Sequence, residues 1–141
     1  MLRFMKTRRL LLLASLVVWT GCGQSGGVSS SADPEEIFRQ SRMSELGEIL
    51  SINKAETKAP PKAVADLTRY QGGWPAGYAA VKDGSVVVIW GVGVQDGVSD
   101  KIIAHDKEAA DSGGYVLMQD GKTVKKLSAD QFKAASKASN S

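Results

Sequence analysis

Val86-Val87-Val88-Ile89-Trp90-Gly91-Val92 is a nearly unbroken run of β-branched and aromatic residues. Such a run, without polar alternation, predicts a central strand covered on both faces. Val86, Val88 and Trp90 would share one side, with Val87 and Ile89 on the other. Asp83-Gly84 directly before it is a type I′ hairpin signal, so residues 78–81 are expected as an antiparallel partner strand. Beyond the run comes Gly91-Val92-Gly93-Val94-Gln95-Asp96-Gly97. Its third glycine stands one place too late for G-x-G-x-x-G, and no Gly-Lys-Ser/Thr is present. These glycines are read as letting the strand bend and leave the sheet.

Working outward toward the C-terminus, residues 101–105 predict a third strand and residues 115–119, after Gly113-Gly114, a fourth. Asp120-Gly121 is a second hairpin turn, leading into residues 122–127. Ser128-Ala129-Asp130-Gln131 is a capping box, with Leu127 and Phe132 at the two positions of a hydrophobic staple. The helix it opens is short, and residues 138–141 are expected as a disordered tail.

Working outward toward the N-terminus, Gly72-Gly73 marks a loop over residues 70–75, and Pro61 starts a short helix over residues 62–68 with Val64 and Leu67 facing inward. Asp33-Pro34-Glu35-Glu36 combines an N-cap acid, proline at the first helical position and first-turn acids that suit the helix dipole. Ile37, Phe38, Met43, Leu46, Ile49, Leu50 and Ile52 then make an apolar helix face running to about Asn53. This order predicts an α+β domain over residues 33–137: one long helix packed on a four- to five-stranded, mainly antiparallel sheet, with a short C-terminal helix.

The first 32 residues are of a different kind. Arg3, Lys6, Arg8 and Arg9 form a basic start, and residues 10–19 are apolar except for Ser15. Thr20-Gly21-Cys22 follows, so residues 1–21 read as a signal peptide with a short helical apolar core. Ten residues span about 15 Å as a helix, half of a roughly 30 Å hydrocarbon layer. Residues 22–32 hold Cys22 and a Gly/Ser-rich flexible tether, whose ten residues after the cysteine span roughly 17 Å. Four of the 18 lysines and arginines lie in the signal, which leaves 14 against 15 acids and a net charge of −1 for the remainder. The basic isoelectric point therefore gives no argument for nucleic acid as a partner.

Val18-Trp19-Thr20-Gly21-Cys22 resembles the lipobox of bacterial lipoproteins, with Trp19 where leucine is usual. The resemblance implies lipidation of the Cys22 thiol, removal of the peptide before it, and acylation of the new amino terminus. Two or more acyl chains anchor stably where one does not. Cys22 is the only cysteine, so an intrachain disulfide is excluded, and lipidation accounts for an exported lone thiol. The other reading is a secreted protein with an ordinary cleavage site and a free thiol. Glycine at position 23, by the usual sorting pattern of lipoproteins, favours the outer over the inner membrane.

From residue 43 to about residue 132 the chain also resembles the globular part of type IV pilin-like and type II secretion pseudopilin-like proteins. Residues 46–50 look like the end of the long pilin helix. Ala59-Pro60-Pro61-Lys62-Ala63-Val64-Ala65-Asp66-Leu67 is similar to a proline-led segment of that family. Residues 102–106 through 113–121 look like its C-terminal hairpin ending in Asp-Gly. Here a lipobox and tether stand in place of the prepilin site and long hydrophobic helix, and Lys122 stands where a histidine often follows the turn. The resemblance implies a pilin-like head on a lipid anchor, not filament assembly.

Three features of the sequence bear on chemistry. His105 is the only histidine, its neighbour Asp106 points to the opposite strand face, and no second metal ligand stands at suitable spacing, so it reads as a strand histidine. The loop Tyr70-Gln71-Gly72-Gly73-Trp74-Pro75-Ala76-Gly77-Tyr78 is the best ligand candidate: Tyr70, Trp74 and Tyr78 could form a platform for a sugar or small molecule. The commoner use of such rings is to fold down over the sheet. Lys122, Lys125 and Lys126 could touch anionic headgroups, although edge lysines more often keep a strand soluble. The expectation is a non-enzymatic, lipid-anchored envelope protein without cofactor or metal, acting through an envelope protein or a cell-wall component. The alternative is a ligand-binding lipoprotein using the 70–78 loop.

Overall fold

The computed structural model describes residues 33–140. The signal, Cys22 and the tether lie outside the described residues. Helix α1 (Pro34–Thr57) begins where the capping signal places it: Asp33 Oδ1 accepts from the Glu35 amide at 3.0 Å, with Pro34 in the first turn. It ends at Lys58, whose φ of 59° is left-handed and whose N–H reaches the Lys54 carbonyl at 3.1 Å. Pro60 and Pro61 forbid continuation. Met43, Leu46, Ile49, Leu50 and Asn53 form its buried stripe. Ile37 and Phe38, expected on that stripe, are each 55% exposed. In the first turns it is Arg39 and Arg42 that face inward, and Ile37 lies roughly 200° around the helix from Arg39.

A short 3-10 helix (Val64–Tyr70) follows, its start held by Asp66 Oδ2 accepting from the amides of Lys62 and Ala63, with Leu67 and Tyr70 buried. Residues 78–81, expected as a strand, belong instead to helix α2 (Pro75–Lys82). The buried positions Gly77, Tyr78, Ala80 and Val81 carry a helical period that the short apolar run disguised. Gly77 permits this packing: a Cβ there would meet the Leu46 amide nitrogen of α1 at 2.8 Å. Asp83-Gly84 consequently joins a helix to a strand. Asp83 has φ −83° and only Gly84 is positive, at 80°, whereas a type I′ turn needs both positive.

Strand β1 (Val86–Val88) pairs antiparallel with β2 (Lys101–Asp106), β2 with β3 (Gly114–Met118), and β3 with β4 (Val124–Leu127). The sheet order is β1-β2-β3-β4. The run that reads as a central strand is therefore a three-residue edge strand. Val86 and Val88 are buried on one side as expected, but Val87 is 40% exposed. Gly91, at φ 78°, turns the chain out, and its amide binds the Pro61 carbonyl at 2.9 Å. Val92 and Val94 are buried as loop residues against the end of α1, not as strand. The central strands are β2 and β3; all five residues of β3 are buried.

Helix α3 (Ala109–Ser112) links β2 to β3, and α4 (Ala129–Ala134) follows β4. Ser128 and Gln131 form the expected capping box, and Phe132 is buried beside Leu127. The chain then adds β5 (Ser136–Lys137), parallel to β2 beside β1. Ala138, expected in a disordered tail, is 4% exposed and its amide binds the Ile102 carbonyl at 2.8 Å. The half of the β2 edge that short β1 leaves unpaired is what draws this segment in.

The domain is α+β, with helices on both sheet faces. Met43, Leu46, Ile49 and Leu50 of α1 pack with Val86, Val88, Ala104 and Leu117 on one face. Ala109, Val116, Met118 and Phe132 make a smaller core on the other.

Candidate functional site

A register irregularity in β2 builds the site. Ile102 is opposite Met118 while Ala104 is opposite Leu117, so Ile103 is an extra residue. One added residue reverses which face every later side chain takes. Ile102 thus lies in the α4 core, whereas Ala104 lies in the α1 core. Asp106, two residues on, is aimed at α1.

There it is almost fully buried, at 1% exposure. Asp106 Oδ2 accepts from Arg39 Nη2 and from the Tyr115 amide, and Oδ1 from Arg42 Nη2, each at 2.8 Å. Arg42 Nη1 also reaches Ser85 Oγ at 3.3 Å. Arg39 and Arg42 stand three apart on α1, on one face. Gly114 makes room, since a Cβ there would lie 2.9 Å from the Asp106 carboxylate. Two guanidinium groups thus share one carboxylate.

This cluster floors an open cleft of about 590 Å³ between the start of α1, the 83–85 turn and the end of β2. Exposed Phe38 forms an apolar wall, and Glu35, Asp83 and Glu108 stand at the mouth. Asp83 is held below the usual carboxylate range by the Ser85 amide, then by the Ser85 hydroxyl and, more weakly, by Arg42.

The residues singled out from sequence are placed elsewhere. Cys22 lies outside the described residues. Tyr70 and Tyr78 are buried, at 4% and 6% exposure. The Tyr70 hydroxyl donates to Glu56 at 2.8 Å, and burial, with that bond second, raises its pKa above 10.0. Tyr78 Oη meets Thr68 Oγ1 at 3.4 Å. Trp74 is half-buried, donates from Nε1 to Glu48, and meets Tyr70 edge-on with centroids 6.3 Å apart. The rings fold down against the α1 face and do not form one flat platform.

His105 faces away from Asp106 as alternation requires, its ring tilted against Phe132 at 4.7 Å and Nδ1 2.8 Å from the Asp106 carbonyl. Lys125 donates to the Ser99 carbonyl and Lys126 pairs with Glu36, so the basic residues of β4 are engaged separately. Among the described residues no group of three histidine, cysteine or acidic residues could hold a metal ion, and no helix is long and apolar enough to cross a membrane.

The Asp106 cluster is not legible from the sequence around His105-Asp106, because its two arginine partners lie 64 and 67 residues away on α1. The legible signal was Arg39-x-x-Arg42 beside the apolar stripe of α1, at positions that can share a face. Comparison with family models, with characterised proteins and with solved structures finds no match.

Proposed function

We propose that the chain is a lipoprotein anchored through Cys22, whose folded domain is a non-catalytic structural or interaction module of the cell envelope, linked to a secretion or pilus system. The outer membrane is the favoured location, and the partner is an envelope protein or a cell-wall component. The anchor rests on the basic start, the short apolar core and the lone cysteine directly after them.

The observation that carries the interaction half is the start of α1. There Phe38 and Ile37 stay 55% exposed beside an open charged cleft, while the buried carboxylate is occupied by three donors. A carboxylate used in that way orders two arginines on one face of α1. The alternative, a carbohydrate site on the 70–78 loop, would rest on Trp74 alone, since both tyrosines are buried.

Replacing Cys22 with Ser tests the anchor. The variant is expected to leave the membrane fraction and to lose incorporation of labelled fatty acid. A Cys22→Ser protein that fractionates and matures like the wild type overturns the lipoprotein reading.

A further inference from the structure

The cleft at the start of α1 carries separated charge. Its floor holds two guanidinium groups against one carboxylate, and Arg39 keeps Nε and Nη1 without a partner among the described residues. Arg39 is also the more open of the pair, at 26% exposure against 13% for Arg42. The mouth is acidic on balance, with Glu35, Asp83 and Glu108 exposed against one exposed lysine, Lys107, and Phe38 supplies an apolar wall.

Charge counting decides what fits. Arg39, Arg42 and Lys107 set three positive charges against four negative ones from Glu35, Asp83, Asp106 and Glu108, a net of −1. A simple anion reaching the floor passes three carboxylates offset by Lys107 alone, and a simple cation meets two guanidinium groups shared by one carboxylate at the floor. A molecule bearing both charges satisfies both ends. Guanidinium matches a carboxylate through paired N–H donors, and a carboxylate accepts from an ammonium.

The geometry points to a binding site for a small zwitterion, a free amino acid or a short peptide. Its carboxylate sits on Arg39, its ammonium between Glu35 and Glu108, and its apolar side chain against Phe38. The open cleft, about 590 Å³, is roomier than a free amino acid needs and admits a short peptide as well. This site is independent of the lipid anchor and of the 70–78 loop.

The test is calorimetric titration of the detergent-solubilised full chain with L-leucine and with L-alanyl-L-leucine. The controls are 4-methylpentanoate, which is leucine without its amine, 3-methylbutylamine, which is leucine without its carboxyl group, and inorganic phosphate. At least one zwitterion is expected to bind saturably, about tenfold or more tighter than either half-molecule, because each charged hydrogen bond carries at least that factor. Whichever of the two binds more tightly identifies free amino acid or peptide as the class.

Glu35→Gln is expected to weaken the zwitterion about tenfold while leaving 4-methylpentanoate unchanged or tighter. Arg39→Gln should weaken both carboxylate ligands. Should Arg39→Gln fail to fold, the Glu35→Gln result still decides, since Glu35 is exposed. Phosphate or 4-methylpentanoate binding as tightly as the zwitterion, an unchanged Glu35→Gln affinity, or no saturable binding of either zwitterion at millimolar concentration overturns the proposal.

Discussion

Asp106 shows how one side chain can fix an interface. It ends β2, is 1% exposed, and takes three hydrogen bonds of 2.8 Å, two of them from arginines of α1 some 64 and 67 residues away in sequence. Replacing one member of a buried charged set leaves the others desolvated without compensation, which costs far more than the intact set contributes. Asp106→Asn keeps the shape and removes the charge, so two guanidiniums would remain near a neutral amide. Chemical denaturation is expected to show a loss of about 3 kcal/mol, within the usual range of about 3–5. An unchanged midpoint would mean that the apolar stripe alone seats α1. His105, by contrast, rests on Phe132 across the sheet, and its ring nitrogen Nδ1 meets the main-chain carbonyl of Asp106 at 2.8 Å, not the carboxylate that holds the arginines.

At the level of elements, the end of α1 and the conversion of residues 75–82 into a helix matter most. Lys58 closes α1 in the left-handed region, where a Cβ costs roughly 1–2 kcal/mol and glycine nothing. Glycine also loses about 0.4–1 kcal/mol more backbone freedom on folding. Lys58→Gly is therefore expected to stabilise the domain by about 0.5 kcal/mol, read as a rise in Tm. A fall would show that the Lys58 side chain contributes to the loop around Pro60. Helix α2 replaces an expected strand because its partner is α1, reached through Gly77, and not β1. Tertiary contact overrides the apolar run there, as it often does for short segments.

For the whole molecule, stability against pH is bounded on both sides by groups shifted in the fold. Asp83 is lowered mainly by the Ser85 amide. In Asp120 burial raises the pKa, but the Thr123 hydroxyl and the amides of Thr123 and Lys122 outweigh it, so the net shift is downward. Both carboxyls bind fewer protons folded than unfolded, so their contribution is present above the ordinary value of 3.8 and is lost as pH falls through their lower folded values. Tyr70 is raised above 10.0, chiefly by burial, so its contribution is present below that value and is lost as pH rises through the folded one. Thermal melts across pH should give a plateau with an acid fall below about 3.8 and an alkaline fall above about 10. Asp120→Asn should flatten the acid limb; an identical limb would place the acid loss in other carboxylates.

Local chemistry was legible wherever a backbone rule acts within a few residues. The Asp33 cap with Pro34 and the Ser128–Gln131 capping box stand where the sequence puts them, because each satisfies its own hydrogen bonds. The α+β class, which follows from the order of such elements, was legible too. Asp120-Gly121 does lie between paired strands β3 and β4, but in a longer connection over residues 119–123 where only Gly121 has positive φ, at 71°, so residues 119, 122 and 123 leave the strands expected of them. What the chain alone did not reveal depends on distant partners. Val86–Val88 lies at the edge because residues 78–81, expected as its outer partner, fold as helix α2 against α1 and leave its far side without a strand. Ile37 and Phe38 stay exposed because Arg39 and Arg42 claim the inward positions. Those arginines turn inward because an extra residue at Ile103 points Asp106 toward α1. Periodicity records which residues are apolar. It does not record which face a bulge selects, or which buried charge waits across the sheet, and the tertiary structure alone decided both.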